Sequence, residues 1–79
     1  IENSTHRVMA NLKAILEEAG LTFGNVVKAT IFLKSMDDFA VMNDIYASYF
    51  DGNYPARETV QVSCLPKNVD IEISMIAHV

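Results

Sequence analysis

Cysteine occurs once, at Cys64, so the chain cannot close an internal disulfide. That excludes a bridge-stapled scaffold and suits a reducing, cytoplasmic setting, which is the expectation here. Basic residues are also few. Six lysines and arginines are scattered through 79 residues, and the net charge is −4 with a pI near 4.9. No basic stripe exists to follow a phosphate backbone, so nucleic acid is not the expected partner. No apolar run reaches the length of a membrane span and no signal peptide is visible, so a membrane role is not expected either. Repeats, low-complexity tracts, a glycine-rich phosphate loop and a Ser-His-Asp arrangement are all lacking.

What is present is apolar for so short a chain: 51% hydrophobic residues against 20% charged, with 3 glycines and 2 prolines. This is globular composition, read as one domain over residues 1–79. A chain of this size buries only about 60% of its unfolded surface. The surplus of apolar residues therefore predicts that part of the surface is covered by a partner.

The periodicities give an order of helix, strand, helix, strand, strand. Val8, Leu12, Ile15, Leu16 and Ala19 recur at helical spacing, predicting a helix from Ser4 to Ala19 with Gly20 as a left-handed stop. Val27, Ala29, Ile31 and Leu33 alternate with Lys28, Thr30, Phe32 and Lys34 as a half-buried strand. Ser35 and Asp38 form a weak capping box before a second helix carrying Phe39, Met42, Ile45, Tyr46 and Tyr49 inward, ended by Asp51-Gly52-Asn53. The pattern then places Val60, Val62 and Cys64 on the inner face of a strand, a turn at Leu65–Asn68, and a last strand with Val69, Ile71, Ile73 and Met75 inward. The strand–helix–strand unit predicts a parallel pair. The expected fold class is α+β, with two helices on one face of a mixed sheet. The other face is expected to carry Thr30, Phe32, Thr59, Gln61, Ser63, Glu72, Ser74 and Ile76.

Arg57, behind Pro55, is the one arginine outside the first helix and stands where a loop enters a strand. A guanidinium fork there can hold a carboxylate. Strand parity puts Glu72, a candidate base, on the same mixed face as Arg57; a structural ion pair at an interface explains that pairing equally well. If the last two strands form a tight hairpin, Arg57 and Glu72 lie about 15 Å apart, and one small ligand could touch both only across a subunit boundary. Cys64 reads as a buried core thiol. Asn43 in the second helix reads as a capping or exposed residue, or one that bonds the loop leading to Arg57. No spacing joins His6, His78 and Cys64 into a metal site.

The order of short motifs carries a resemblance. Asn25-Val26-Val27-Lys28-Ala29-Thr30 with Phe32-Leu33, Met36-Asp37-Asp38-Phe39, Asn43-Asp44-Ile45-Tyr46, Tyr54-Pro55-Ala56-Arg57 with Val60-Gln61-Val62, and Leu65-Pro66-Lys67 with Ile71-Glu72-Ile73 together resemble the YjgF/RidA family of reactive-intermediate deaminases. The resemblance implies a chorismate-mutase-like, ferredoxin-like mixed sheet in a homotrimer with ligand clefts between subunits. It implies hydrolysis of enamines and imines such as 2-aminoacrylate and 2-iminopropanoate to 2-keto acids and ammonia, without a cofactor. By resemblance Arg57 holds the substrate carboxylate, Glu72 positions the attacking water, the backbone at Thr59 meets the imine end, and Asn43 supports the site. The family commonly has cysteine where this chain has Thr59. The resemblance starts at the family's first helix, so the expected match is to the C-terminal two-thirds of the domain, without its N-terminal strands. A non-catalytic module that binds small 2-keto acids is the alternative expectation.

Overall fold

The computed structural model describes all 79 residues. Helix α1 spans Glu2–Glu18 and buries Thr5, Met9 and Leu16. Its first turn uses no side-chain cap from Asn3, Ser4 or Thr5; instead the Thr5 hydroxyl donates to the Ile1 carbonyl at 2.8 Å. The far end closes as the sequence predicts. Gly20 takes φ +75°, its N–H reaches the Glu17 carbonyl, and Leu21 N–H reaches the Leu16 carbonyl at 2.8 Å. These two bonds make the Schellman closure that a glycine at this position permits.

Strand β1 (Val26–Leu33) is the centre of a three-stranded sheet ordered β2-β1-β3. Strand β2 (Ala56–Gln61) pairs parallel to it, and β3 (Ile71–Ala77) pairs antiparallel. Between β1 and β2 lie a short 3-10 turn, Met36–Asp38, and helix α2, Phe39–Ala47. Ser35 caps that turn by accepting from Asp37 N–H at 3.1 Å, while Asp38 makes no side-chain cap. The parallel pair expected from the strand–helix–strand unit is therefore present. The hairpin between the last two strands is not. Residues 62–70 carry the chain past the end of β1, with Val62 N–H on the Leu33 carbonyl and Lys34 N–H on the Asp70 carbonyl. The turn itself falls where expected, with Lys67 and Asn68 at positive φ.

Ala29, Ile31, Leu33, Ile71 and Ile73 face the helices and join Met9, Met42 and Tyr46 in one core. Two parts of the expected core row shift. The β1–β3 ladder has a bulge between Val26 and Lys28, so Val26 is buried and Val27 is turned outward, 52% exposed. A bulge's extra residue reverses which face the residues before it occupy. Val69 lies before β3 and is also exposed.

The larger correction concerns β2. It runs from Ala56 and stops at Gln61, before Val62 and Cys64, leaving Cys64 exposed instead of buried. Its register sets Arg57 beside Ala29, Thr59 beside Ile31 and Gln61 beside Leu33. Residues paired across a ladder share a face. Arg57, Thr59 and Gln61 thus face the helices, and Val60, expected in the core, is 42% exposed on the other side. That other face carries Thr30, Phe32, Glu58, Val60, Glu72, Ser74 and Ile76, with a Lys28–Glu58 ion pair at 3.6 Å. Nothing in the chain covers it, and Val60 and Ile76 stand 42% and 59% exposed.

Candidate functional site

Three elements converge on Arg57. Pro55 fixes the backbone ahead of β2, the β1 ladder fixes the strand's height and face, and α2 lies across the side chain. The guanidinium carbon sits 5.5 Å from the Phe39 ring centre and 5.3 Å from that of Tyr46. Nη1 donates to the side-chain oxygen of Asn43. Phe39, Asn43 and Tyr46 are spaced i, i+4, i+7 on α2, one stripe of the helix. Arginine stacks on aromatic faces while its edge donors stay available. The stripe therefore orients the fork and leaves most of its donors for a ligand.

Beside Arg57 lies an open hollow of about 470 Å³ lined by Asn43, Tyr46, Ala47, Tyr54, Pro55 and Arg57. Arg57 is its only charged residue. Burial pushes the Tyr46 phenol above its ordinary value of 10.0, outweighing the Arg57 charge, which pulls the other way. The phenol is therefore neutral at physiological pH, and no second charge competes for the arginine. The Tyr46 hydroxyl and the Thr59 hydroxyl are both buried without a hydrogen-bond partner in the protein. Farther along β2, Gln61 accepts from Met36 N–H at 2.8 Å and ties the strand to the start of the α2 segment.

An unpartnered buried phenol makes a sharp prediction. Tyr46→Phe is expected to leave stability at pH 7 unchanged or raise it by up to about 1 kcal/mol. As pH rises past 10.0, the unfolded chain gives up this phenol proton before the folded one does, so folding loses stability in alkali. Urea midpoints at pH 7 and pH 11 should fall less in Tyr46→Phe than in the unsubstituted chain. An equal fall in both proteins would show that Tyr46 contributes nothing to the alkaline loss.

The structure brings Arg57, Asn43 and Thr59 together on the helix side of β2. Asn43 bonds the arginine itself rather than its loop. Glu72 is elsewhere. It pairs with Phe32 on the open face, makes no ion pair within the chain, and belongs to the strand on the far side of β1. The expectation that parity puts Arg57 and Glu72 on one face is thus overturned by the register of β2. From ladder spacings the two lie about 10 Å apart along the strands and about 10 Å across them, on opposite faces. One small ligand cannot touch both within a single chain. Periodicity alone assigns Phe39 and Tyr46 to packing; their spacing around Asn43 is the signal that marks them as the arginine's support.

A mixed three-stranded sheet, two helices on one face and an arginine presented beside a small hollow define an α+β domain suited to a compact anionic ligand. Comparisons with known proteins narrow this. Residues 1–79 match the family described as Endoribonuclease L-PSP. A RutC family protein of Pyrococcus horikoshii is 53% identical over 78 residues, covering 99% of this chain and 62% of that protein. The 2-iminobutanoate/2-iminopropanoate deaminase of Rattus norvegicus is 46% identical over 77 residues, covering 98% of this chain and 56% of the rat protein. The crystal structure of RidA from an Antarctic Psychrobacter superimposes with a TM-score of 0.97 at 38% identity, covering all of this chain and 64% of that one. The chain belongs to the YjgF/RidA family, and its mixed α+β sheet is that family's fold. It spans about three fifths of the length of the curated relatives it matches.

Proposed function

We propose that this chain serves the hydrolytic deamination of short-lived 2-imino and 2-enamino acids, 2-iminopropanoate and 2-aminoacrylate among them, to 2-keto acids and ammonia. The observation that carries the reading is Arg57, stacked on Phe39 and Tyr46 and bonded to Asn43. The rat relative named for imine deamination supports the reaction class. The Arg57 fork receives the substrate carboxylate, and the Thr59 backbone lies beside the imine end. Glu72 of the partner subunit holds a water against the imine carbon. Its oxygen bonds that carbon while the carboxylate takes a proton. That proton passes to nitrogen, which has taken the C=N pair; the carboxylate then moves the adduct's hydroxyl proton to nitrogen as well, the C–N bond breaks as the carbonyl forms, and ammonia leaves. No cofactor enters, because the imine carbon is already the electrophile.

The assembly in this proposal is a homotrimer with the clefts between subunits. The uncovered mixed face, with Val60 and Ile76 exposed on it, and the separation of Arg57 from Glu72 support it. A nucleic-acid substrate does not suit a chain of net charge −4 without a basic track.

An amino acid oxidase can generate 2-iminopropanoate from alanine in situ, and the imine's decay can be followed against its spontaneous rate. The chain should accelerate the decay. Glu72→Gln should lower kcat by about a hundredfold or more, the usual share of a general base, with KM little changed. No acceleration by the unsubstituted chain would sink the reaction, and equal kcat in Glu72→Gln would remove Glu72 from it. The distance between Arg57 and Glu72 favours a second reading, a module that binds 2-keto acids without turnover. It predicts Arg57-dependent pyruvate binding that Glu72→Gln leaves intact.

A further inference from the structure

Strand β3 borders the sheet on the side away from Arg57, and its outer edge is bare. Glu72, Ser74 and Ile76 bond β1, in step with the Lys34 N–H on the Asp70 carbonyl. In an antiparallel ladder the alternate residues turn their N–H and C=O groups to the other side. Ile71, Ile73, Met75 and Ala77 therefore present donors and acceptors along the open edge. Such edges are usually blunted by a lysine, a proline or a bulge. The strand reads Ile-Glu-Ile-Ser-Met-Ile-Ala and has none of these, since the bulge of this ladder lies in β1. A stripe of α1 runs beside the edge. Ser4 and Val8 border the start of β3 in a hollow of about 360 Å³ shared with Asn68, Val69, Asp70 and Ile71. Ile15 follows Val8 two turns later on the same stripe, and at 65% exposure it is the large apolar residue of α1 that the core leaves out.

We infer that this edge binds the same edge of a second copy of the chain. The two β3 strands pair antiparallel about a two-fold axis at Ser74, the middle of the strand, and the two sheets become one. That axis brings the outward groups into register. Ile73 meets the partner's Met75 and Ile71 meets the partner's Ala77, each pair exchanging both backbone bonds. On the open face Ser74 meets the partner's Ser74, Glu72 meets the partner's Ile76, and Asp70 meets the partner's His78. No like charges oppose one another, and the residue on the axis is small. An axis two residues earlier would set Glu72 against the partner's Glu72, which repulsion disfavours. On the helix side the half-buried Met75 and the Val8–Ile15 stripe of each copy cover the junction. This edge is distinct from the sheet face assigned to the homotrimer, and the inference does not rest on the deaminase reading. Where both contacts form, trimers are joined edge to edge.

A thiol placed on the axis reads the register directly. Ser74→Cys in a Cys64→Ser background sets two sulfurs opposite each other with Cα atoms about 4.5 Å apart, within reach of a disulfide. After air oxidation of the folded chain it should run as a covalent dimer on a non-reducing gel. Ile76→Cys in the same background faces the partner's Glu72 and should stay uncrosslinked. Light scattering on the unsubstituted chain should give an even multiple of the chain mass. Met75→Pro deletes an outward N–H and leaves the β1 ladder intact, a position where an edge strand tolerates proline. It should halve that mass while circular dichroism stays native. Should Met75→Pro unfold, the exposed Ser74→Lys sets two like charges across the axis and should halve the mass instead. A monomeric or trimeric mass for the unsubstituted chain, or equal cross-linking at positions 74 and 76, overturns the inference. The deaminase reading is decided separately, by imine turnover.

Discussion

Arg57→Ala is expected to lower kcat/KM for 2-iminopropanoate by about a hundredfold or more, close to 3 kcal/mol at the transition state. The guanidinium is the only charged group at the hollow and therefore the only one that can answer a substrate carboxylate. Arg57→Lys should recover a part of the loss, about tenfold. An ammonium keeps the charge but has neither the two-pronged fork nor the plane that stacks on Phe39 and Tyr46. Both variants should stay folded, because Arg57 is exposed and its Asn43 bond lies near the surface. Steady-state rates with imine generated in situ, beside thermal melts of each variant, will separate lost binding from lost structure. Equal rates for Arg57→Ala and the unsubstituted chain would end the clamp.

The largest effect on stability is expected from Ile31→Ala. Ile31 is fully buried in the middle of β1, between Thr59 on one neighbour and Ile73 on the other. Truncating such a residue removes apolar burial and leaves a cavity, together costing about 2–5 kcal/mol. A folded chain of this length has about 4–12 kcal/mol in total. The variant should thus lose about a sixth of its stability or more and shift its urea midpoint by about 1 M or more at fixed protein concentration. A shift below about 0.5 M would mean that the cavity collapses and that β1 is not the rigid centre its burial suggests.

Most of the fold was legible before the structure was known, because it rests on strong local signals. The Gly20 stop and the alternation of Ala29, Ile31 and Leu33 each have one dominant reading, and the structure keeps both, whereas the α1 stripe is kept only in part: Val8, Leu12 and Leu16 turn inward, but Met9 is buried, Ile15 is 65% exposed and Ala19 is exposed. β2 was not legible, for a physical reason. Alternation assigns polar residues to solvent, but at this edge strand the helix side is itself polar. Arg57 and Gln61 find partners on and just before α2, and Thr59 is covered there, while Val60 faces an uncovered surface. Hydrophobicity therefore gave the inverted phase, and with it the false pairing of Arg57 with Glu72. Val27 misled for a related reason, since a bulge leaves no trace in a run of two valines. The placement of the residues around Arg57 was legible in part. Arg57 bonds Asn43 and shares the helix side of β2 with Thr59, whereas the contacts of Phe39 and Tyr46 with the guanidinium were hidden among residues that also make core.

β2 is laddered on one side only, to β1. A slip of a single residue along that ladder would hand Glu58 and Val60 to the helices and swing the guanidinium to the opposite face. Two contacts outside the ladder guard against it, Met36 N–H on Gln61 and Val62 N–H on Leu33. The consequence is evolutionary. Codons can be gained or lost in the exposed Asp51–Asn53 turn at little cost, because the chain there only has to reach Pro55. Between Pro55 and Val62 one added or missing codon inverts the strand, so selection there acts on length before it acts on composition.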